Sequence, residues 1–181
     1  MLETLRNAFK IKDLRKRIGF TFLMLIVVRI GSQLPIPGVD PDVFSQLFAN
    51  NGDALNFFDA ITGGSFENMS IFALNITPYI TSSIIIQLLT IAFPKLEEMQ
   101  RDGEQGRKKI TQITRYVTVG LAIIQSVAMA IGFGRSGYLT EFNALYVIMT
   151  VAALTAGSSV LMWIGERITE KGIGNGISLI I

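Results

Sequence analysis

The stretch "NITPYITSSIIIQLL", residues 75–89, determines how the rest of the chain is interpreted. It lies within residues 71–93, a run of twenty-three positions without Asp, Glu, Lys, Arg or His. About 20 predominantly apolar residues are enough for a helix to cross a bilayer. This run nevertheless contains a proline, an asparagine, a glutamine and several hydroxyl side chains. We therefore expect a membrane helix of which one side faces something other than lipid.

The composition places the chain among membrane proteins. Half of its 181 residues are hydrophobic and 17% are charged, against about 25% charged in soluble domains. The apolar residues gather into long blocks, which predict transmembrane helices rather than the core of a soluble protein. The sequence thus predicts an all-α membrane protein. The predicted spans cover about 18–34, 71–93, 110–133 and 142–164, with a fifth beginning at 173.

The basic residues predict the orientation of these spans. Six Lys or Arg residues lie in segment 1–17, none lies in segment 36–70, and five lie in segment 94–109. Basic connections stay in the cytoplasm, so segment 1–17 is predicted to be a cytoplasmic basic N-terminal segment. Arg29 falls within the first span, where its side chain either reaches outward to the interface or contacts polar backbone inside the protein.

The second span allows two interpretations. Its hydroxyl residues fit ordinary packing between membrane helices. They also fit a helix that lines a gated aqueous path, with Ile76 and Ile80 in an apolar constriction. In both interpretations Pro78 lies inside the helix, where it removes a hydrogen bond to Leu74.

Segment 36–70, which lacks Lys and Arg, is predicted to lie outside. It contains a second apolar stretch, residues 54–66, which is too short to span a bilayer. It is either a re-entrant piece covered by protein or water, or an amphipathic helix on the outer surface. Gly63 and Gly64 would end it just before the second span.

Four stretches resemble the SecY family of bacterial protein-conducting channels. They are "RIGSQLPIPGVD" (29–40), "FALNITPYITSSIIIQLLT" (72–90), "DGEQGRKKITQITRY" (102–116) and "GERITEKGIGNGISLII" (165–181). The resemblance implies a SecY-like helical bundle, with residues 18–181 as the first five-helix half of the channel and a re-entrant plug helix at about 55–70. A phosphate-binding role for "GIGNG" is disfavoured, because no strand precedes it.

The resemblance also implies roles for individual residues. The pore ring implied is Ile76, Ile80, Ile177 and Ile181. The lateral gate implied is Thr81, Ile84 and Gln87. The plug implied contains Phe57, Phe58, Ile61, Gly63 and Gly64. Aliphatic constrictions gate by dewetting, so such a ring would pass varied side chains while admitting few ions.

The function implied is the passage of unfolded polypeptides across the bacterial cytoplasmic membrane, and the lateral release of membrane helices. The partners implied are the SecE and SecG subunits, the SecA motor ATPase or the ribosome, signal sequences and nascent polypeptides, the lipid bilayer, and the C-terminal half of the same protein. No cofactor and no metal is expected.

The sequence leaves one alternative function open and disfavours another. A secondary transporter with a broken helix remains the alternative, although the spans hold no Asp, Glu or His for proton coupling. An enzyme is not expected, because a chain without His and Cys offers no convincing nucleophile–base pair.

Overall fold

The computed structural model describes residues 11–37, 39, 69–135 and 143–181. Regular structure within them is α-helical, apart from isolated bridge residues, of which Pro35 pairs antiparallel with Ser70. The prediction of an all-α protein is confirmed. The helices in this part of the chain are α1 (Lys12–Gly31), α2 (Thr77–Ala92), α3 (Pro94–Arg101), α4 (Glu104–Arg135), α5 (Ala144–Lys171) and α6 (Gly176–Ile180).

Helix α4 is the centre of the bundle, since it packs against both α2 and α5. Its buried side is a row of small residues at every fourth position, which lets neighbouring backbones approach closely. That row contains Thr114, Thr118, Ala122, Ser126, Ala130 and Gly134. Two hydroxyl pairs join α4 to its neighbours: Ser82 with Thr118, and Ser126 with Thr155 at 3.1 Å.

Helices α4 and α5 run antiparallel without a change of register. Arg115 contacts Glu166 and Ser126 contacts Thr155, so the two contacts lie eleven residues apart on each helix. At 1.5 Å per residue they are separated by about 16 Å along the axes.

Helix α1 lies against α5 in the opposite direction. Near its start, Arg17 Nη1 donates to Gly172 O at 3.5 Å, and Thr21 Oγ1 accepts from Ile173 N at 3.2 Å. At its end Gly31 lies under the Phe72 ring, which occupies the space that a Cβ would need. The basic ends of α1, α4 and α5 therefore lie together.

The prediction for the second span was wrong in its first turns. Residues 71–76 are not helical, and α2 begins only at Thr77. Pro78 therefore occupies the first turn, where a missing N–H costs nothing, and it does not break a bond to Leu74.

The segment 69–76 is an irregular strip of backbone that packs along α5. A Cβ on Gly157 would lie 2.0 Å from Ile71 O, and Ser158 Oγ donates to Asn75 O at 3.1 Å. Met69 and Asn75 have positive φ values of 40° and 51°. Irregular backbone within a membrane protein needs such cover from neighbouring protein.

This strip also closes a small core with the chain that follows α1. Ile36 N donates to Met69 O at 3.0 Å, and Ile71 N donates to Leu34 O at 3.1 Å. The buried apolar residues of this core are Ile36, Val39, Met69, Ala73, Leu74 and Leu154.

Two described helices, α4 and α5, are each long and apolar enough to cross a membrane. The count becomes three if α2 and α3, which are bent by 103° at Phe93, form one broken span. Helix α1 is long enough but too highly charged to be counted with them, because Arg15, Lys16, Arg17 and Arg29 lie within it. The basic segment 94–109 is largely helical, since α3 covers Pro94–Arg101 and α4 begins at Glu104.

The "GIGNG" motif forms the turn between α5 and α6. Gly174 has a φ of 73°, a conformation that glycine adopts without strain. Asn175 Oδ1 accepts from Ile177 N at 3.1 Å and caps α6. A Cβ on Gly176 would lie 2.1 Å from Gly165 O, so the two helices touch at these glycines.

Candidate functional site

Gly165 on α5 is the point at which distant isoleucines meet. A Cβ built on it would lie 3.4 Å from Cδ1 of Ile76 and of Ile180, and 3.5 Å from Cγ1 of Ile177. Ile76 ends the irregular strip, whereas the other two belong to α6. Two of the predicted ring residues are therefore brought together, and Ile180 joins them.

The four predicted ring residues differ in exposure. Ile76 is buried, with 1% of its surface exposed, whereas Ile181 is 55% exposed. Ile80 and Ile177 are partly buried. Ile80 N donates to Ile76 O at 3.1 Å, so these two residues occupy successive turns. Three of the four predicted ring residues therefore keep exposed surface, and Ile76 does not.

The three predicted gate residues lie away from the buried face of α2. Ile84 is 52% exposed, Gln87 is exposed and Thr81 is partly buried. Their polar atoms bond within the helix: Thr81 Oγ1 donates to Thr77 O at 3.0 Å, and Gln87 Nε2 contacts Ser83 Oγ at 3.4 Å. Gln87 also borders a groove that α2 forms with α3 and α4.

The polarity of α2 is explained separately for each of its two faces. Ser82 and Thr90 are buried on the face that meets α4, where Ser82 pairs with Thr118. These hydroxyls serve helix packing. Thr81 and Gln87 lie outside that contact, so packing within the described chain does not account for them.

A groove of about 550 Å³ lies between α2, α3 and α4, next to the predicted gate. Its wall combines apolar Ile86 and Ile91 with polar Gln87, Arg107 and Thr111. The bend at Phe93 creates it by turning α3 away from the axis of α2.

A bidentate ion pair joins α4 to α5 one residue beyond Gly165. Arg115 Nε lies 2.9 Å from Glu166 Oε1, and Arg115 Nη2 lies 2.7 Å from Glu166 Oε2. The Glu166 side chain is only 13% exposed. A cavity of about 340 Å³ beside the pair is also lined by Tyr79, Asn175 and Ile177.

The plug residues Phe57, Phe58, Ile61, Gly63 and Gly64 lie outside the residues that the structure describes. In the described ranges, no group of three His, Cys, Asp or Glu side chains is placed to hold a metal ion.

The sequence did not indicate that Gly157, Gly165 and Gly176 are contact points, nor did it pair Arg115 with Glu166. Gly157 and Gly165 are eight residues apart, which places them on one face of a helix, so a search for small residues at helical spacing would have found them. The ion pair carries no such local signal, because its partners are 51 positions apart.

Known proteins resemble this chain in sequence. The sequence model of the SecY family matches residues 70–181. The "Protein translocase subunit SecY" of Pseudomonas aeruginosa is 46% identical over 172 residues, which are 94% of this chain and 39% of the relative. The subunit of the same name from Escherichia coli K12 is 47% identical over 174 residues, covering 93% of this chain and 39% of the relative.

The match extends beyond bacteria and into solved structures. The "Protein translocase subunit SecY" of Porphyra purpurea is 50% identical over 170 residues and is covered to 41%, so the chain spans about two fifths of these relatives. Two solved structures share the fold at a TM-score of 0.63 and 19% identity, each covering 92% of this chain and 35% of the structure's chain. They are "The structure of a protein conducting channel" and "Sec61 in the Canine ribosome-channel complex from the endoplasmic reticulum". The resemblance stated from the sequence is confirmed: the chain is part of a multi-pass membrane protein and belongs to the SecY family.

Proposed function

We propose that this chain forms half of a channel that passes unfolded polypeptides across a membrane and releases membrane helices sideways into it. The names of its relatives support this proposal. The observation that carries it is the meeting of Ile76 and Ile177 at Gly165. Two segments a hundred residues apart thereby contribute aliphatic side chains to one place, as a pore constriction requires.

Aliphatic side chains suit such a constriction. A narrow apolar passage excludes ions because it dewets, and flexible aliphatic groups can close around a moving chain without binding it tightly. Ile80 and Ile181 retain exposed surface for this contact. Ile76 and Ile177, which lie near Gly165 of α5, would hold the ring in place. We propose that the plug residues seal this ring from outside.

The side of α2 that carries exposed Ile84 and Gln87 suits a lateral gate. Thr81, Ile84 and Gln87 would face helices of the C-terminal half of the protein. Hydrogen bonds between membrane helices average about 0.6 kcal/mol, so a seam held by a few of them can open. An incoming signal sequence would replace these contacts with apolar ones.

The orientation proposed follows from charge. The basic ends of α1, α4 and α5 lie together, and exposed Tyr116 and Trp163 lie near them, as aromatic residues do at a membrane interface. We place this end, with the N-terminus, on the cytoplasmic side of the bacterial cytoplasmic membrane. The SecA motor or the ribosome would deliver substrates there, and the SecE and SecG subunits would complete the channel.

Photocrosslinking tests the proposal in the complete protein, assembled with its partner subunits. A photoreactive residue replaces Ile181 or, as the control, Ile124, which is 67% exposed on α4. With a polypeptide stalled during translocation, Ile181 is expected to label it and Ile124 is not. Equal labelling from both positions would contradict a pore at the isoleucines.

Deletion of residues 57–64 separates the channel from the alternative, a secondary transporter. A channel that loses its plug conducts ions when it is reconstituted in a planar bilayer. A transporter would stay closed to ions, because its path never opens to both sides at once.

A further inference from the structure

The Arg115–Glu166 pair differs from four other ion pairs in the described chain. Those four join side chains three or four positions apart on one helix, and all are well exposed. Arg115 and Glu166 instead connect two helices, and the carboxylate is largely covered. Both oxygens of the carboxylate are engaged by the guanidinium, which is the geometry that arginine offers and lysine does not.

The surroundings of Glu166 connect this pair to the isoleucines. The preceding residue, Gly165, carries the contact with Ile76 and Ile177 and touches Gly176. The cavity beside the pair is lined by Tyr79, from the first turn of α2, and by Ile177. A rotation of α5 about its own axis would therefore move Glu166 and the isoleucine contact together.

We propose that Arg115 and Glu166 are positioning residues for the pore constriction. The pair fixes the rotation of α5 against α4, and α5 in turn holds the irregular strip and α6 at Gly165. This inference rests on the proposed channel function and adds to it a device that keeps the closed constriction tight. Neither side chain would touch the translocating polypeptide.

The energetic reason is the partly covered carboxylate. The Arg115 side chain is 45% exposed, whereas Glu166 is 13% exposed. Removing the guanidinium would leave a largely covered carboxylate without its hydrogen-bond donors, which is costly, and a rotation of α5 that brings Glu166 toward water would relieve this cost. That rotation would carry Gly165 away from Ile76 and Ile177. An exposed pair such as Arg101–Glu97 does not fix the position of a helix in this way, since surface ion pairs contribute little to stability.

A double-mutant cycle in the complete channel tests the proposal. Arg115→Gln, Glu166→Gln and the double variant are compared in planar bilayers for resting ion conductance, and in vesicles for translocation of substrates with intact and weakened signal sequences. We expect Arg115→Gln to raise resting conductance about tenfold, a shift of about 1.4 kcal/mol in the closed–open equilibrium. The double variant should leak no more than this single variant, because the two residues act as one unit.

Two further variants keep the experiment decisive. Arg115→Lys retains the charge but loses the bidentate geometry, so we expect it to fold and to give an intermediate leak. Arg101→Gln breaks the exposed pair with Glu97 and should conduct as the wild type does. Single variants at wild-type conductance, or leaks that add in the double variant, would overturn the proposal.

The behaviour of the wild-type protein distinguishes a failure of the positioning role from a failure of the proposed channel function. A wild-type protein that translocates polypeptides while all variants stay tight contradicts only the positioning role. A wild-type protein that neither translocates nor conducts after deletion of residues 57–64 contradicts the channel itself.

Discussion

Replacing Gly157 with alanine would place a methyl group where α5 meets the irregular strip 69–76. The new Cβ would lie 2.0 Å from Ile71 O and 2.7 Å from Ile71 Cγ2. A carbon and a carbonyl oxygen in contact are normally about 3.3 Å apart. The strip must therefore move by roughly 1.3 Å, or α5 must.

The magnitude follows from three contributions. Overpacking of this size costs about 1–3 kcal/mol. The bond from Ser158 Oγ to Asn75 O, now 3.1 Å, would stretch beyond hydrogen-bonding distance, and such bonds contribute about 0.6 kcal/mol in membranes. The higher helix propensity of alanine offsets about 0.9 kcal/mol of this loss of stability. We expect a net loss of about 2 kcal/mol in the free energy of unfolding.

The assay is denaturant unfolding of the complete protein in mixed micelles, together with resting ion conductance after reconstitution. Gly120→Ala is the matched control, because a Cβ at Gly120 meets nothing within 4 Å. It should keep or raise stability by up to about 1 kcal/mol and should not leak. Gly157→Ala should leak, since the displaced strip ends at Ile76.

The reasoning fails if Gly157→Ala unfolds at the same denaturant concentration as Gly120→Ala and conducts no more ions. That result would mean that the strip does not lie against α5 at this depth. A stable but leaky Gly157→Ala would instead mean that the strip moves easily and that its position matters for closure alone.

Three further predictions test other contacts. Gly176→Ala would put a Cβ 2.1 Å from Gly165 O, so it should lower thermal stability and raise resting conductance, whereas Gly132→Ala, which meets nothing within 4 Å, should do neither. Ser82→Ala removes the hydroxyl pair with Thr118 and should lower the free energy of unfolding by about 0.6 kcal/mol; a denaturant titration without any shift would contradict this contact. Gln87→Leu should change the passage of substrates with weakened signal sequences in a translocation assay, and unchanged selectivity and ion leak would count against a gate at this face.

The sequence was a good guide to which segments are helical, because long apolar blocks report on helices in a membrane without reference to neighbours. It was a poorer guide to where α2 begins. Pro78 marks a helix start and a helix kink equally well, and the chain before it is as apolar as the chain after it. The contact of Ile71 with Gly157 holds residues 71–76 in an irregular conformation. No local sequence pattern predicts this contact.

The candidate site was likewise predictable from the sequence only in part. The polar residues of α2 were evident from the sequence, but their two different environments were not. Ser82 contacts Thr118 on α4, whereas Thr81, one position earlier, bonds within α2. Adjacent positions on a helix point about 100° apart, so their environments depend on which neighbour packs where.

By itself the sequence determined the class of protein, the apolar blocks and the end of the bundle at which positive charge gathers, since each depends on composition or on spacing along the chain. Only the tertiary structure decided that Gly157, Gly165 and Gly176 are contact points, and that Arg115 forms an ion pair with Glu166. Those facts depend on the distance between segments far apart in the chain, which helix packing sets and residue order alone does not.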